Sequence, residues 1–429
     1  MVGRARGVDR RDAGHRVSGD GLREVEEQQA LILARVSPVE AVTVPVPAAL
    51  GRTLREPVRA LVDIPVFDNS AMDGFAVRFA DVQDAAARPV TLRVVADLPA
   101  GTSLDPALGP GEAARIMTGS PVPTEADAIV PFEDTAGGLA DSLGSIVVVA
   151  APRAVGAHIR RRGEDAVVGD EVVAVGVRLG PFQLAAAAAA GVADVVVSRA
   201  PRVAVVSTGS ELVPPGSPLA HGQIPESNSE LLAGLVAETG SEVVLRSTVP
   251  DDGDGPLRAV AEAAALGANA IVFTGGVSAG AYEPVKTTLA GAMEFTKVRM
   301  QPGKPQGFGV TDEGMLLFGL PGNPVSAAVS FDVFVRPALL ALQGRADLHR
   351  PLLRLPAATA WRTPPGRRQY LPASIDRSDP ARWTVRPATG GGSGSHLAGG
   401  LARAEAYAVV PAEADAVEPG QLVDVMLIS

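Results

Sequence analysis

The sequence predicts a multidomain α/β plus β protein, and three observations carry that prediction. The chain has 429 residues, too many for one ordinary core at roughly 100 to 200 residues per domain. From Pro201 strand-like runs alternate with helix-like runs, the pattern of a mostly parallel sheet covered on both faces. Before and after that region, short β-branched runs punctuated by Pro and Gly dominate.

The opening MVGRARGVDRRDAGHRVSG is rich in Arg and Gly and has no apolar centre, so residues 1–21 read as a disordered tail rather than a secretory signal. LREVEEQQALILARV, from Leu22 to Val36, has helical apolar spacing with acids early and Arg late, the charge order that a helix dipole favours. VTVPVPAALG and VTLRVVADLPAG read as strands and turns, a texture that lasts to about Gly163. PFQLAAAAAAG, from Pro181 to Gly191, reads as a helix with Pro at its start and Gly at its end.

Past Pro201 the order is strand VAVVS, helix NSELLAGLVAETG, strand EVVLRSTV, helix PLRAVAEAAALG, strand AIVFT, helix EPVKTTLAGA, a short strand pair, strand MLLFGL and the long helix PVSAAVSFDVFVRPALLAL. After Gly344, LLRLPAATA, WTVRPAT, AYAVVPAEA and LVDVMLIS predict a small all-β terminal domain.

Composition narrows the function. No run approaches the ~20 uninterrupted apolar residues of a membrane helix. The net charge of −10 and 4% aromatic content argue against nucleic acid, which needs a basic face or stacking platforms. Cysteine is absent, which fits a reducing cytoplasm and means that any sulfur the chemistry needs comes from a ligand. The only lysines, Lys286, Lys297 and Lys304, fall in one short segment of a chain that otherwise uses Arg. An ammonium is a compact point charge that suits tight oxyanion or phosphate pockets.

Ligands on parallel sheets bind outside the carboxyl ends of the strands. The segments leaving those ends are STGSEL (from Ser207), VPDDGD (from Val249), TGGVSAG (from Thr274) and LPGNP (from Leu320). TGGVSAG matches the G-x-S-x-G nucleophile elbow, but a helix starting at Ser278 would contain Pro284, and interior Pro costs about 3 kcal/mol or more. The alternative is an anion cradle, in which N–H groups of Gly275, Gly276 and Ser278 approach a ligand and Lys286 lies about one turn into the next helix. Glu211, Asp251 and Glu283 sit on the same rim, and one or two carboxylates with ligand phosphates hold Mg²⁺.

DNSAMDGFAV from Asp68, RIMTGSPVP from Arg115, IRRRGED from Ile159, STGSEL, TGGVSAG, QPGKP from Gln301 and LPGNPVSA from Leu320 occur in this order. From about Leu22 to its end the chain resembles the molybdopterin molybdenumtransferases, the MoeA family, which includes the C-terminal region of gephyrin. The resemblance implies an elongated homodimer of four-domain subunits. Domain I is a composite linker domain (22–46 and 158–200), domain II (47–157) is an inserted mainly-β domain, domain III (201–344) is the molybdopterin-binding, MoCF-type domain, and domain IV (345–429) is a small β-barrel-like domain. The active site would lie between the sheet rim of one subunit and domain II of the other.

The implied reaction takes adenylylated molybdopterin and molybdate, with Mg²⁺, to molybdenum cofactor and AMP. The adenylyltransferase of the preceding step and client molybdoenzymes are the implied protein partners. By resemblance Asp73, Thr118 and Asp165 belong to the site, as do Gly209, Gly280 and the glycines of the cradle. Glu211, Asp251 and Glu283 would bind metal and phosphate, and Lys297 and Lys304 would be site lysines. Pro305 and Ser326 would line the molybdate pocket, and Arg367 and Ser395 would complete it. Gln301 stands where many members have Lys, which bears on molybdate against tungstate, and Glu283 stands where Asp is frequent. The adenylyltransferase itself is a single small domain and does not fit. A molybdopterin-binding scaffold or paralogue with altered oxyanion or client specificity is the remaining alternative.

Overall fold

The structure, a computed structural model, describes residues 21–138, 143–251, 253–277, 283–389 and 398–428. Helix α1 (Val25–Leu33) starts at Glu24, whose backbone N–H donates to Glu27 Oε2 at 3.4 Å, and it buries Val25, Gln28 and Ile32. Although it precedes β1 in the chain, it packs on the core of the central α/β domain. The buried face joins the same core as Val329, Phe331 and Leu339, far along the chain. Polar contacts fix it there: Arg23 pairs with Glu294 at 2.5 Å, Glu24 with Arg299 at 2.6 Å and Glu26 with Arg368 at 2.5 Å.

After α1 the chain forms strand β1 (Ala41–Pro45) and then leaves to build a separate five-stranded sheet. Its strands are β2 (Gly74–Val77), β3 (Val90–Leu98), β4 (Glu112–Ile116), β5 (Ala128–Pro131) and β6 (Gly144–Val148), in the order β5-β2-β4-β3-β6. Phe75 and Phe132 meet edge to face in its core at 5.2 Å, the geometry aromatic quadrupoles prefer. The chain returns through helix α2 (Pro181–Ala189) to strand β7 (Asp194–Ser198), which pairs antiparallel with β1. Val46, Ala49, Leu54 and Val58 share this smaller core with Val173, Leu179, Ala187, Val195 and Val197.

The central domain follows. Strand β8 (Arg202–Thr208) is buried along nearly its whole length, as its apolar residues on both faces require. Helix α3 (Asn228–Glu238), strand β9 (Glu242–Val249), helix α4 (Gly255–Ala265), strand β10 (Ala270–Thr274) and helix α5 (Pro284–Leu289) continue the alternation. Strand β11 (Met293–Lys297), the two-residue β12 (Met300–Gln301), β13 (Pro305–Val310) and β14 (Leu316–Leu320) complete it. The sheet order is β9-β8-β10-β14-β13-β11. The first four strands are parallel, while β13 and β11 are antiparallel additions, so the sheet is mixed.

The long apolar run is helix α6 (Pro324–Ser330), a wider π turn (Phe331–Val335) and helix α7 (Arg336–Leu342). Pro337 cannot donate to the carbonyl of Val333. That carbonyl instead accepts from the Gln29 amide of α1 at 3.0 Å. The run is long and apolar enough to cross a membrane, but 89% of it is buried inside the fold, so it is a core helix.

The terminal domain contains β15 (Leu352–Pro356), β16 (Arg368–Asp376), β17 (Thr384–Pro387), β18 (Ala406–Val410) and β19 (Leu422–Leu427). Its sheet runs β12-β16-β18-β19-β15, with β17 also on β16. Strand β12 comes from the central domain, so one sheet spans both domains at Met300 and Gln301. A buried clamp lies beside this seam. Arg350 holds Asp332 at 2.7 Å and donates to the Ile428 carbonyl at 3.0 Å. Burial pushes the Asp332 carboxyl above its ordinary range and Arg350 opposes it; burial also pushes the adjacent Tyr407 hydroxyl up.

Candidate functional site

Because β8, β9, β10 and β14 are parallel and paired at their carboxyl ends, Thr208 with Val249, Ser207 with Thr274 and Thr274 with Leu320, the four loops leaving them meet on one rim. They enclose a cleft of ≈ 580 Å³ lined by Thr208, Gly209, Glu211, Asp251, Gly275, Gly276, Glu283 and the segment 321–324, among others. Ser210 and Asp251 tie the first two loops together reciprocally, the Ser210 N–H donating to Asp251 Oδ2 and the Ser210 hydroxyl accepting from the Asp251 N–H, both at 3.1 Å.

Glycine is required here by space and by backbone. Gly275 has φ +91°, and a Cβ on it would lie 2.5 Å from Thr208 Oγ1; Gly209 has φ +154°, and its Cβ would lie 2.7 Å from Glu211 Oε2. At Gly275 the Thr208 carbonyl oxygen, 2.6 Å from such a Cβ, excludes a side chain, whereas at Gly209 the flexible Glu211 side chain could move aside. The Gly275 N–H, however, donates to the Leu320 carbonyl at 3.0 Å. The expectation that it would cradle an anion is therefore corrected: its role is close packing of the two loops. The predicted start of the next helix holds, since α5 begins at Pro284.

Beyond Val277, which lines both spaces, lies a second cavity of ≈ 330 Å³ bounded by Lys286, Phe295, Thr296, Lys297, Lys304 and Pro305. All three lysines of the chain thus face one cavity. Among the described residues none of them forms a salt bridge. Gly303 (φ +99°) bends the loop that carries Lys304, and the Gln306 amide anchors that loop to the Gly303 carbonyl and Ser330 Oγ, both at 2.7 Å.

The two spaces have opposite character. The cleft presents Glu211, Glu226, Asp251 and Glu283, whereas the cavity presents ammonium groups. No set of three acid or imidazole groups among the described residues is placed to hold a metal ion. Glu211, Asp251 and Glu283 share the cleft without forming a metal site by themselves, and their hard oxygens suit Mg²⁺ when a phosphate supplies the remaining ligands.

Other predicted residues lie elsewhere. Asp73 accepts from the Thr118 N–H at 2.6 Å and the Thr118 hydroxyl at 2.7 Å, which hold its carboxyl below the usual range. Neither residue lines the two spaces. Asp165 borders a separate hollow with Asp170 and Glu171. Ser326 is buried in α6 and lines neither space; Arg367 precedes β16, beside the β12 seam. Ser278, Gly280 and Ser395 lie outside the described residues.

The sequence reading missed the α3 approach, Ile224 to Asn228. Glu226 accepts from Ser207 Oγ at 2.8 Å and the Ser229 N–H at 2.9 Å, and Asn228 Nδ2 donates to Thr274 Oγ1 at 2.9 Å and the Gly322 carbonyl at 2.7 Å. The signal was the polar ESNS run before an apolar helix, a cap pattern.

A mixed α/β domain with a glycine-lined carboxylate cleft, flanked by an inserted β domain and a terminal β domain, defines a multidomain α/β plus β class of protein with a ligand cleft at the carboxyl rim of its central sheet. Three family models match in order: the MoeA N-terminal region (domains I and II) over residues 23–191, the probable molybdopterin binding domain over 204–341 and the MoeA C-terminal region (domain IV) over 354–428. The chain belongs to the MoeA family. It is 44% identical over 364 residues to molybdopterin molybdenumtransferase 2 of Mycobacterium tuberculosis, covering 83% of this chain and 88% of that protein. Molybdopterin molybdenumtransferase 1 of the same organism is 35% identical, covering 95% and 99%. A molybdopterin biosynthesis MoeA crystal structure from Pyrococcus horikoshii superposes with a TM-score of 0.80 at 27% identity, covering 95% of this chain and 100% of that one.

Proposed function

We propose that this protein is a transferase of molybdenum cofactor biosynthesis, a molybdopterin molybdenumtransferase that inserts molybdate into adenylylated molybdopterin and releases AMP. The observation that carries the proposal is the pairing of a carboxylate-lined cleft with a cavity holding every lysine of the chain. The relatives bearing that activity in their names match over nearly the whole chain.

Lys286, Lys297 and Lys304 would bind the oxyanion with Pro305 at the wall. Glu211, Asp251 and Glu283 would hold Mg²⁺, which when bound would supply positive charge to offset that of the phosphates. The protein's own part is positioning: two anions that repel in water are brought within reach and aligned. With no cysteine in the chain, the sulfur ligands of molybdenum belong to the pterin.

Asp73 and Thr118 line neither space within one chain, which favours a homodimer in which domain II of a second copy closes the cleft. The domain partition stands as proposed above, with α1 of domain I packed on the core of domain III. A cytoplasmic location fits the cysteine-free composition.

The test is AMP release by purified protein from adenylylated molybdopterin and Mg²⁺, with and without molybdate. Molybdate-dependent release, yielding cofactor that reactivates an apo-molybdoenzyme, is the expected result. No release with molybdate or tungstate would sink the proposal and favour a binding scaffold.

A further inference from the structure

Two residues that line the cleft, Thr208 and Asn228, each carry a buried side-chain oxygen with no hydrogen-bond partner among the described residues. Thr208 is only 6% exposed, and its Oγ1 is unpaired; Asn228 Oδ1 is likewise buried and unpaired. The Asn228 orientation is set by its amide nitrogen, because the Gly322 carbonyl accepts only, and Thr274 Oγ1, the second acceptor, is itself bonded at 3.2 Å to the Pro321 carbonyl. Oδ1 is thus left as an acceptor. A buried acceptor without a donor costs about 1–3 kcal/mol, and unpaired groups of this kind gather where a ligand completes them.

Both residues border the segment 274–276. Thr274 holds Asn228, and Thr208 Oγ1 packs against its neighbours Gly275 and Gly276. The surrounding walls are carboxylates, so the cleft favours a ligand edge rich in N–H. Two acceptors match the two hydrogens of an amino group, and the closeness of the Gly275 backbone admits a flat edge more readily than a tetrahedral phosphate.

We infer that Thr208 Oγ1 and Asn228 Oδ1 read the exocyclic amino group of an amino-substituted nitrogen heterocycle seated in this cleft. The inference rests on the proposed function, whose substrate carries two such rings, a pterin and an adenine. The anionic part of the ligand then points across Val277 to the lysines.

The experiment is equilibrium binding to the full chain with two matched pairs, pterin-6-carboxylate against lumazine-6-carboxylate and AMP against IMP; each second member has oxygen in place of the amino group. Wild-type protein should favour the amino member of one pair by about tenfold, the scale of a hydrogen bond, and that pair identifies which ring occupies the cleft. Thr208→Val should bring the ratio toward one while leaving the unfolding midpoint unchanged or higher, since no internal hydrogen bond is lost. A merely structural threonine would lower the midpoint and leave the ratio intact. Equal binding within both pairs, or an unaltered ratio in Thr208→Val, would overturn the inference. AMP release measured on the same preparation separates the two claims: release without discrimination overturns the inference alone, and discrimination without release overturns the proposed function alone.

Discussion

Two charge clusters touch the same short stretch of the helical run 324–342, and they are built on opposite terms. The loop carrying Lys304 rests on Ser330 through the Gln306 amide. Two residues on, Asp332 is buried and paired with Arg350. The lysines have no carboxylate partner among the described residues, whereas Arg350 pairs with one oxygen of an acid and with a main-chain carbonyl. The contrast teaches how to sort charges in this fold. Charge that holds domains together is neutralised inside the protein, and charge meant for an anionic ligand is left for the ligand to neutralise.

The largest expected effect tests the paired cluster. Arg350→Ala leaves Asp332 buried without its counter-ion and should cost about 3–5 kcal/mol of stability in a denaturant titration. Arg350→Met combined with Asp332→Leu should recover most of that loss, because no lone buried charge remains. A single-variant cost below about 1 kcal/mol would break the comparison.

Lys304→Ala sharpens it from the other side. Removing an unpaired ammonium should leave the unfolding midpoint within about 0.5 kcal/mol of wild type, while molybdate-dependent AMP release falls roughly 10²–10³-fold, the scale for losing one group that stabilises developing charge. A stability loss like that of Arg350→Ala would mean that the lysine is structural after all.

The smallest effect concerns Asp73, a satisfied carboxylate on the inserted domain. The Thr118 N–H and then its hydroxyl hold the Asp73 carboxyl below its ordinary value. A depressed carboxylate contributes stability that is complete above the unfolded-state value and is lost as pH falls through the lower folded one. Thr118→Val removes the hydroxyl and keeps the N–H, so the Asp73 titration should move part of the way upward by NMR. The stability change should be a few tenths of a kcal/mol in this exposed setting. An unmoved titration would contradict the stated cause.

Much of the rim was legible because parallel topology alone decides where strand ends point: STGSEL, TGGVSAG and LPGNP had to converge once the alternation from Pro201 was read. The lysine cavity was legible as an oddity of usage. The partner of α1 was not, since helical spacing reveals an apolar face but not what covers it. Strand β16 was missed because Pro372 interrupts its apolar pattern, although it sits within a nine-residue strand. The use of the Gly275 N–H was beyond sequence reasoning too, as its acceptor, Leu320, belongs to a strand 45 residues away.

The confinement of lysine to one cavity has a practical meaning for the chemistry of the whole molecule. Apart from the α-amino group, the chain offers an amine-directed acylating reagent no target other than Lys286, Lys297 and Lys304. Labelling stoichiometry, ordinarily averaged over a protein's entire surface, becomes here a local report on that cavity, and a bound oxyanion should be visible as amines that go unmodified.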